Sequence, residues 1–267
     1  MSDEPDLRTA LDLSGRVAIV TGGTRGIGRG IAQRFLEAGA DVVVCARHEP
    51  ESLPEGGGRT ALFLTTDVRD PEQAEALVAA TVERHGAVDI LVNNAGGSPP
   101  SDSATAPATF TKRIVELNLL AAIYCAQAAN RVMQAQEGGG VIINIGSVSG
   151  MRPTPMTMAY GAAKAGLVNI TETLAVEWAP KVRVVGVAGG LVVTELAHLF
   201  YGDDEGIASV GRTIPLGRMA TPIDIADVCL FAVSPLARYV TGVTIVAHGG
   251  GERPAYIDAA KNIEPGR

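Results

Sequence analysis

The 267-residue chain has few cysteines and no long hydrophobic run. Cys45, Cys125 and Cys229 lie far apart without a CxxC pair, which excludes a disulfide framework and indicates reduced core residues. No segment approaches the ~18 consecutive apolar residues of a membrane span. The N-terminal stretch MSDEPDLRTALDLSG has neither the basic nor the apolar region of a signal peptide. These absences predict a cytoplasmic protein that does not enter the membrane.

Positive charge and metal-binding side chains are also scarce. The chain has 22 lysines and arginines against 29 aspartates and glutamates, for a net charge of −7. This balance offers no attraction for nucleic acid, so we expect no such partner. The four histidines are scattered at positions 48, 85, 198 and 248, with none of the spacings typical of metal ligands. We therefore expect no metal site.

Short β-branched apolar runs alternate with helical segments along most of the chain. Strands are predicted at 16–21, 41–46, 61–66, 88–93, 141–146, 182–188 and 243–247. Between them lie predicted helices, one of them a long helix over 110–136. This alternation predicts an α/β fold, a single-domain Rossmann-type doubly wound parallel sheet of about seven strands with helices on both faces. We expect the domain over 15–250, between tails at 1–14 and 251–267.

The stretch TGGTRGIG, residues 21–28, joins the first strand to the first helix. Gly22, Gly26 and Gly28 would let the backbone turn tightly and approach a pyrophosphate at the helix N-terminus. The spacing G-x-x-x-G-x-G differs from the general G-x-G-x-x-G, and glycines also serve helix–strand packing. The position between a strand and a helix is the context that a dinucleotide motif requires. We therefore expect a dinucleotide at this turn.

The end of the second strand bears on the choice between NAD(H) and NADP(H). An acidic side chain there would accept a hydrogen bond from the ribose 2′-OH and favour NAD(H). The chain instead has Ala46 followed by Arg47, and Arg25 lies in the glycine turn. A guanidinium suits a 2′-phosphate, although each arginine alone would equally fit an ordinary surface position. Together with the missing acid, the two arginines favour NADP(H) over NAD(H).

The stretch YGAAKAG places Tyr160 and Lys164 one helical turn apart, at about 5–6 Å between Cβ atoms. An adjacent positive charge favours the phenolate form of a tyrosine. A shift of roughly three units from a pKa of about 10 would be needed for half ionisation at neutrality. By itself the spacing also fits two side chains that only cover apolar surface.

Four motifs in order carry a family resemblance: TGGTRGIG, NNAG at 93–96, Ser147, and Y-x-x-x-K. With them the chain resembles the short-chain dehydrogenase/reductase family from about residue 15 to 250. Ser147 precedes Tyr160 by thirteen residues, as in that family, whereas Ser149 is too close. The segments INIGSVSG and PLGR are similar to those of 3-oxoacyl-thioester (acyl-carrier-protein) reductases within it.

The resemblance implies the catalytic roles. Tyr160 would act as general acid in reduction and as general base in oxidation. Lys164 would lower the pKa of Tyr160 and hold the nicotinamide ribose. Ser147 would donate a hydrogen bond to the substrate oxygen. Asn118 matches the family asparagine that interrupts a helix and holds a water of a proton relay.

The resemblance also implies the cofactor contacts. Asp67 and Val68 would contact the adenine, and Val192 and Thr194 would hold the carboxamide. The full set of expected cofactor-binding residues is Gly22, Thr24, Arg25, Gly26, Ile27, Gly28, Arg47, Asp67, Val68, Asn94, Ala95, Gly96, Tyr160, Lys164, Val192 and Thr194. The chain departs from the family where Gly189-Gly190 replaces Pro-Gly and where His248 replaces an aspartate before Gly-Gly.

The substrate and the partners are the least determined features. By family analogy the substrate wall includes Pro99, Met151, Pro153, Met156, Leu196, Leu199 and Phe200. Because this set is mostly apolar and no paired arginines accompany it, a neutral or acyl-type ketone fits better than a sugar acid. The segment at 195–211 is predicted to be an amphipathic lid. Family members commonly form tetramers or dimers, so we expect a homo-oligomer, specifically a homotetramer or a dimer.

The leading hypothesis is therefore an NADP(H)-dependent oxidoreductase of a carbonyl or alcohol substrate, with a 3-oxoacyl thioester as a candidate. One alternative is an NAD(H)-linked dehydrogenase of a polyol or a steroid alcohol. A second alternative, from a different class, is a dinucleotide-sensing or scaffold protein without catalysis. Such a protein would be expected to lose Ser147, Tyr160 or Lys164, and all three are present.

Overall fold

The computed structural model describes residues 6–252 and 254–256, where strands and helices alternate. The strands are β1 Val17–Thr21, β2 Asp41–Ala46, β3 Glu55–Gly56, β4 Arg59–Thr60, β5 Leu62–Thr65, β6 Ile90–Asn93, β7 Gly140–Ser147, β8 Val182–Gly189 and β9 Thr244–Ala247. The α-helices are α1 Gly26–Glu37, α2 Pro71–His85, α3 Ala108–Val115, α4 Ala121–Ala135, α5 Met158–Trp178, α6 His198–Tyr201, α7 Asp204–Arg212 and α8 Pro222–Val233. A π-helix spans Glu116–Leu120, and 3₁₀-helices span Val148–Gly150 and Pro235–Ala237.

Seven of the strands form one parallel sheet in the order β5-β2-β1-β6-β7-β8-β9. The predicted seven-stranded Rossmann-type sheet is thereby confirmed. The strand order reverses at β1, which pairs with β2 on one side and with β6 on the other. Ligands of doubly wound sheets bind in the crevice beyond the carboxyl ends of the strands at such a switch point.

Helices cover both faces of the sheet because its strands are apolar on both sides. Ala18 and Val20 of β1 belong to the core beneath α1 and α8. The largest fully buried side chain of this core is Phe35. Ile19, between them, points to the opposite core beneath α2, α4 and α5. This alternation is what a parallel strand buried on both faces requires.

The first and last residues of α2 are determined by its capping residues. Asp70 precedes the helix, and its carboxylate accepts a hydrogen bond from the N–H of Glu72 at 3.0 Å. Pro71 occupies the first helical position, where its missing N–H costs nothing. Gly86 ends the helix with a φ of 83°, a conformation that glycine adopts without strain.

The structure differs from the sequence predictions in two places. The single helix expected over 110–136 is divided by the π-helix into α3 and α4. The segment between β2 and β5, where no strand is predicted, contains the small antiparallel pair of β3 and β4. The helices α6 and α7 lie in the segment predicted as a lid.

The N-terminal boundary predicted for the domain lies inside a packed part of the structure. Ala10 and Leu13, from the predicted tail at 1–14, are buried, and the Leu13 N–H donates to the Ala38 carbonyl at 2.7 Å. Residues 1–5, 253 and 257–267 of the two predicted tails lie outside the described residues.

Candidate active site

The glycine turn after β1 lies against the segment that follows β6. Gly22 has a φ of 63°, and a Cβ added there would lie 3.0 Å from the Ala95 Cα. A Cβ on Gly28 would overlap the Asn94 Nδ2 at 2.3 Å, while that amide donates to the Thr21 carbonyl at 2.8 Å. Larger residues would therefore separate two segments that meet at the switch point. The turn and the stretch from Asn94 to Gly96 form one edge of the candidate site.

The N-terminus of α1 binds an anionic group. No side chain of its own caps this helix, and its first turn has no acidic residue. The Gly26 N–H instead donates to both carboxylate oxygens of Glu195, at 3.1 and 3.2 Å. Thr194 lies beside the same turn, with its Cγ2 3.4 Å from where a Cβ on Gly26 would be. A carboxylate stands in here for the kind of charge that a pyrophosphate carries, so the turn fits a dinucleotide.

Arginines surround the expected adenosine end of the site. Arg47 is exposed directly after β2, and Arg25 is exposed in the glycine turn. The carboxylate of Asp67 is bound by Arg69, whose Nε lies 2.9 Å from Oδ1. The hydrogen bond from Arg69 lowers the pKa of Asp67, and the charge of Arg47 adds to this effect. Because both charges act on Asp67, Arg47 and Arg69 both lie near its carboxylate. The sequence analysis did not identify Arg69.

Ser147 and Tyr160 are brought together by the end of β7 and the start of α5. Burial is the main cause that raises the pKa of Tyr160, and the nearby Ser147 hydroxyl acts in the opposite direction. The Ser147 Oγ accepts a hydrogen bond from the Ser149 N–H at 3.1 Å. In this contact Ser149 takes part through its backbone.

Lys164 is buried beneath Tyr160, with 4% of its surface exposed. Its Nζ donates to the Ile145 carbonyl at 2.8 Å and lies 5.6 Å from the centroid of the Tyr160 ring. Burial lowers the pKa of Lys164 to about 8. Lys164 is not among the groups that shift the pKa of Tyr160, and desolvation of the phenolate is the largest effect on it.

Asn118 is buried in the π-helix and holds the segment after β6. Its Oδ1 accepts from the Gly97 N–H at 2.8 Å, and its Nδ2 donates to the carbonyls of Gly97 and Ile114, both at 2.9 Å. A Cβ on Gly96 would lie 2.6 Å from the Asn118 Oδ1 and 3.4 Å from the Lys164 Nζ. Asn118 and Lys164 thus meet at Gly96.

The remaining predicted contacts lie in the segment after β8. Val192 forms an isolated parallel bridge with Ala220, which fixes the start of the segment that carries Thr194. A Cβ on Gly190 would approach the His248 Cβ to 2.8 Å, so glycine is required where His248 packs. Val68 is buried.

The predicted substrate wall is largely exposed, and it adjoins a polar pair that the sequence analysis missed. Members that expose large apolar side chains are Met151, Met156, Leu196, Leu199 and Phe200. Beside them, Arg152 forms an ion pair with Glu252. The partners are 100 residues apart in the chain, and no local pattern signals the pairing.

Within residues 6–252 and 254–256, no three or more histidine, cysteine, aspartate or glutamate side chains are grouped so as to hold a metal ion. In the same part of the chain, every helix is too short or too polar to cross a membrane.

The switch-point turn, the Ser147–Tyr160 pair and the buried Lys164 define the class as a Rossmann-type oxidoreductase, and the comparisons agree. Residues 22–252 match a family model described as enoyl-(acyl carrier protein) reductase. The L-rhamnose 1-dehydrogenase (NAD(P)(+)) of Azotobacter vinelandii is 36% identical over 88% of this chain and 96% of that protein. The 2-dehydro-3-deoxy-D-gluconate 5-dehydrogenase of Escherichia coli is 34% identical over 91% of this chain and 97% of that protein.

A solved structure extends the likeness to three dimensions. A 7α-hydroxysteroid dehydrogenase in complex with NADH and 7-oxo glycochenodeoxycholic acid superposes with a TM-score of 0.84 at 29% identity, covering 94% of this chain and 99% of that one. The chain belongs to the short-chain dehydrogenase/reductase family of oxidoreductases.

Proposed function

We propose that the protein transfers a hydride between NADP(H) and a carbonyl or alcohol substrate, with Tyr160 as general acid and base. The observation that supports it best is the contact of Tyr160 with Ser147 directly above the buried Lys164. The nicotinamide supplies the hydride chemistry when it is bound. The remaining tasks belong to the side chains of this chain.

Each catalytic side chain has a role that suits its surroundings. Tyr160 gives its phenolic proton to the carbonyl oxygen in reduction and takes the hydroxyl proton in oxidation. Ser147, which lies close enough to the Tyr160 phenol to affect its pKa, donates to the same substrate oxygen and stabilises its developing charge. Lys164 holds the ribose hydroxyls and supplies positive charge beneath Tyr160. Asn118 positions the Gly96–Gly97 backbone and a water of the proton relay.

The cofactor is held along the edge formed by the glycine turn. Gly22 to Gly28 receive the pyrophosphate at the N-terminus of α1, where Gly26 now binds Glu195. Asp67 and Val68 contact the adenine, and Asn94, Ala95 and Gly96 approach its ribose. Val192 and Thr194 hold the carboxamide.

The preference for NADP(H) rests on Arg47 and Arg25. Both are exposed beside the turn, and no acidic residue ends β2 to accept from a 2′-OH. The carboxylate of Asp67, which the charge of Arg47 reaches, is bound by Arg69 and so does not oppose a phosphate. The relatives do not decide between the two cofactors, since one is named for NAD(P)(+) and another was solved with NADH.

The test of the cofactor preference is a fluorescence titration of the wild type and Arg47→Asp with NADPH and, separately, with NADH. Loss of a charge-assisted hydrogen bond weakens binding by about 1.5–3 kcal/mol, so the NADPH Kd should rise about ten- to hundredfold. The control is Arg238→Asp, an exposed arginine between α8 and β9 at the opposite edge of the sheet. An unchanged NADPH preference in Arg47→Asp would contradict the assignment.

Three substrate classes remain under this proposal. The segments INIGSVSG and PLGR and the description of the family model support a 3-oxoacyl thioester. The names of the relatives, a rhamnose dehydrogenase and a deoxygluconate dehydrogenase, support a polyol or sugar substrate. A steroid alcohol is supported by the solved hydroxysteroid dehydrogenase alone.

We also propose a cytoplasmic homo-oligomer, a homotetramer or a dimer, built on the alanine-rich sides of α4 and α5. The exposure of Val176 on α5 supports an apolar contact there. Sedimentation equilibrium of the full chain measures the oligomeric state directly.

A further inference from the structure

Arg152 and Glu252 form an ion pair next to the 3₁₀-helix Val148–Gly150, which follows the catalytic serine. Arg152 lies between Ser147 and Tyr160 in the chain, and its N–H donates to the Val148 carbonyl at 3.1 Å, so its loop is fixed to the catalytic serine. Its Nη2 donates to the Glu252 carboxylate, and its Nη1 donates to the Pro153 carbonyl at 3.2 Å. The side chains of Arg152 and Glu252 remain 39% and 31% exposed, so both can still reach a ligand.

Tyr201, at the end of α6, links this pair to the catalytic tyrosine. Burial raises the pKa of Tyr201, Glu252 raises it further, and Arg152 lowers it. The negative charge of an ionised Tyr201 in turn raises the pKa of Tyr160, in addition to the larger effect of burial. Tyr201 therefore lies within electrostatic reach of both the ion pair and the catalytic tyrosine.

The charge of Arg152 is already neutralised by Glu252. A substrate carboxylate or phosphate would therefore have to displace Glu252 before it could bind Arg152. A long acyl chain would remove the pair from water without replacing its hydrogen bonds, which is costly for an ion pair.

Hydroxyl groups on adjacent carbons match the pair. One hydroxyl can donate to the Glu252 carboxylate while its neighbour accepts from the Arg152 guanidinium, and the Tyr201 hydroxyl can do either. We propose that Arg152, Glu252 and Tyr201 form a hydroxyl-binding subsite that selects a neutral polyhydroxylated substrate, a sugar or a polyol. This inference rests on the oxidoreductase function proposed above and makes the polyol the favoured substrate class.

The experiment compares two substrates in the wild type and in the variants Arg152→Gln, Glu252→Gln and Tyr201→Phe. The substrates are L-rhamnose, oxidised with NADP⁺ or NAD⁺, and acetoacetyl-CoA, reduced with NADPH. Each variant should raise the KM for the sugar about ten- to hundredfold while kcat changes by less than threefold, because the lost hydrogen bonds hold the substrate away from the reacting carbon. The cofactor Kd should not change.

Two further variants separate recognition from structure. The double variant Arg152→Leu/Glu252→Leu leaves no unpaired charge, so a raised sugar KM in it reflects the missing hydrogen bonds. The matched control is Arg131→Gln, which breaks an exposed ion pair with Glu75 between α4 and α2. We expect its kinetics to equal those of the wild type.

Each outcome either supports or contradicts the proposed hydroxyl-binding subsite. Turnover that favours acetoacetyl-CoA, or a sugar KM that the Arg152 and Glu252 variants leave unchanged, overturns the subsite while the oxidoreductase function stands. If the wild type turns over neither substrate, isothermal titration of L-rhamnose into the protein saturated with NADPH replaces kinetics. Sugar binding that is lost in the variants then supports the subsite without the proposed catalysis, and absence of sugar binding overturns it.

Discussion

At the scale of single residues, the central feature is a buried lysine whose hydrogen-bond acceptor is a backbone carbonyl. The Lys164 Nζ donates to the Ile145 carbonyl, and burial lowers the pKa of Lys164 to about 8. Burial also raises the pKa of Tyr160 above its usual value. Desolvation therefore opposes the charged form of both groups.

The lowered pKa of Lys164 predicts how stability depends on pH. Between pH 8 and 10.5 the unfolded chain keeps a proton on this lysine that the folded chain has lost, so the free energy of unfolding rises with pH in this window. The full rise is about 3 kcal/mol. Urea unfolding of the wild type and Lys164→Met at intervals from pH 7 to 10.5 should show that the wild type gains this much relative to the variant. If the free energies of unfolding of the wild type and the variant changed with pH in parallel, the lowered pKa of Lys164 would be contradicted.

At the scale of elements, the division of α3 and α4 by a π-helix positions an amide in the site. The apolar pattern over 110–136 predicts one helix, because an inserted residue shifts the pattern too little to be seen from the sequence. The π-helix turns the Asn118 amide toward Gly97 and leaves the Ile114 carbonyl free to accept from it. The resemblance indicated this asparagine, but the geometry that makes it useful appears only in the structure.

The N-terminus of α1 is the second element with a functional consequence. Glu195 occupies the Gly26 N–H where we propose that the pyrophosphate binds, so the cofactor must displace a carboxylate. A charge at a helix N-terminus is stabilised by about 0.3–1 kcal/mol. We expect Glu195→Gln to lower the NADPH Kd about two- to fivefold in a fluorescence titration.

The control for this effect is Glu177→Gln, an exposed residue near the end of α5 that carries the same change of charge. Its NADPH Kd should equal that of the wild type. Weaker NADPH binding by Glu195→Gln would mean that Glu195 assists the cofactor instead of competing with it.

At the scale of the whole molecule, the sequence predicted the order of the strands and helices well. Its β-branched runs and its capping residues, such as Asp70 and Gly86, are local signals, and local signals fix elements. It failed where side chains meet over long separations. Glu195 reaches Gly26 from 169 residues away, and Glu252 reaches Arg152 from 100. Such pairings depend on the completed fold, because only folding brings segments so far apart in the chain into contact.

The most direct test of the oxidoreductase assignment is NADPH oxidation, followed by absorbance, by the wild type and Tyr160→Phe with a panel of ketones, oxidised polyols and oxoacyl thioesters. The phenylalanine keeps the ring and removes only the proton donor. We expect turnover by the wild type and a loss of about 10²–10⁴-fold in kcat for Tyr160→Phe. The NADPH Kd should rise by no more than about tenfold, because the phenol is only one of the proposed cofactor contacts. A Tyr160→Phe variant as active as the wild type, or NADPH binding without turnover of any substrate, would contradict the proposed role of Tyr160.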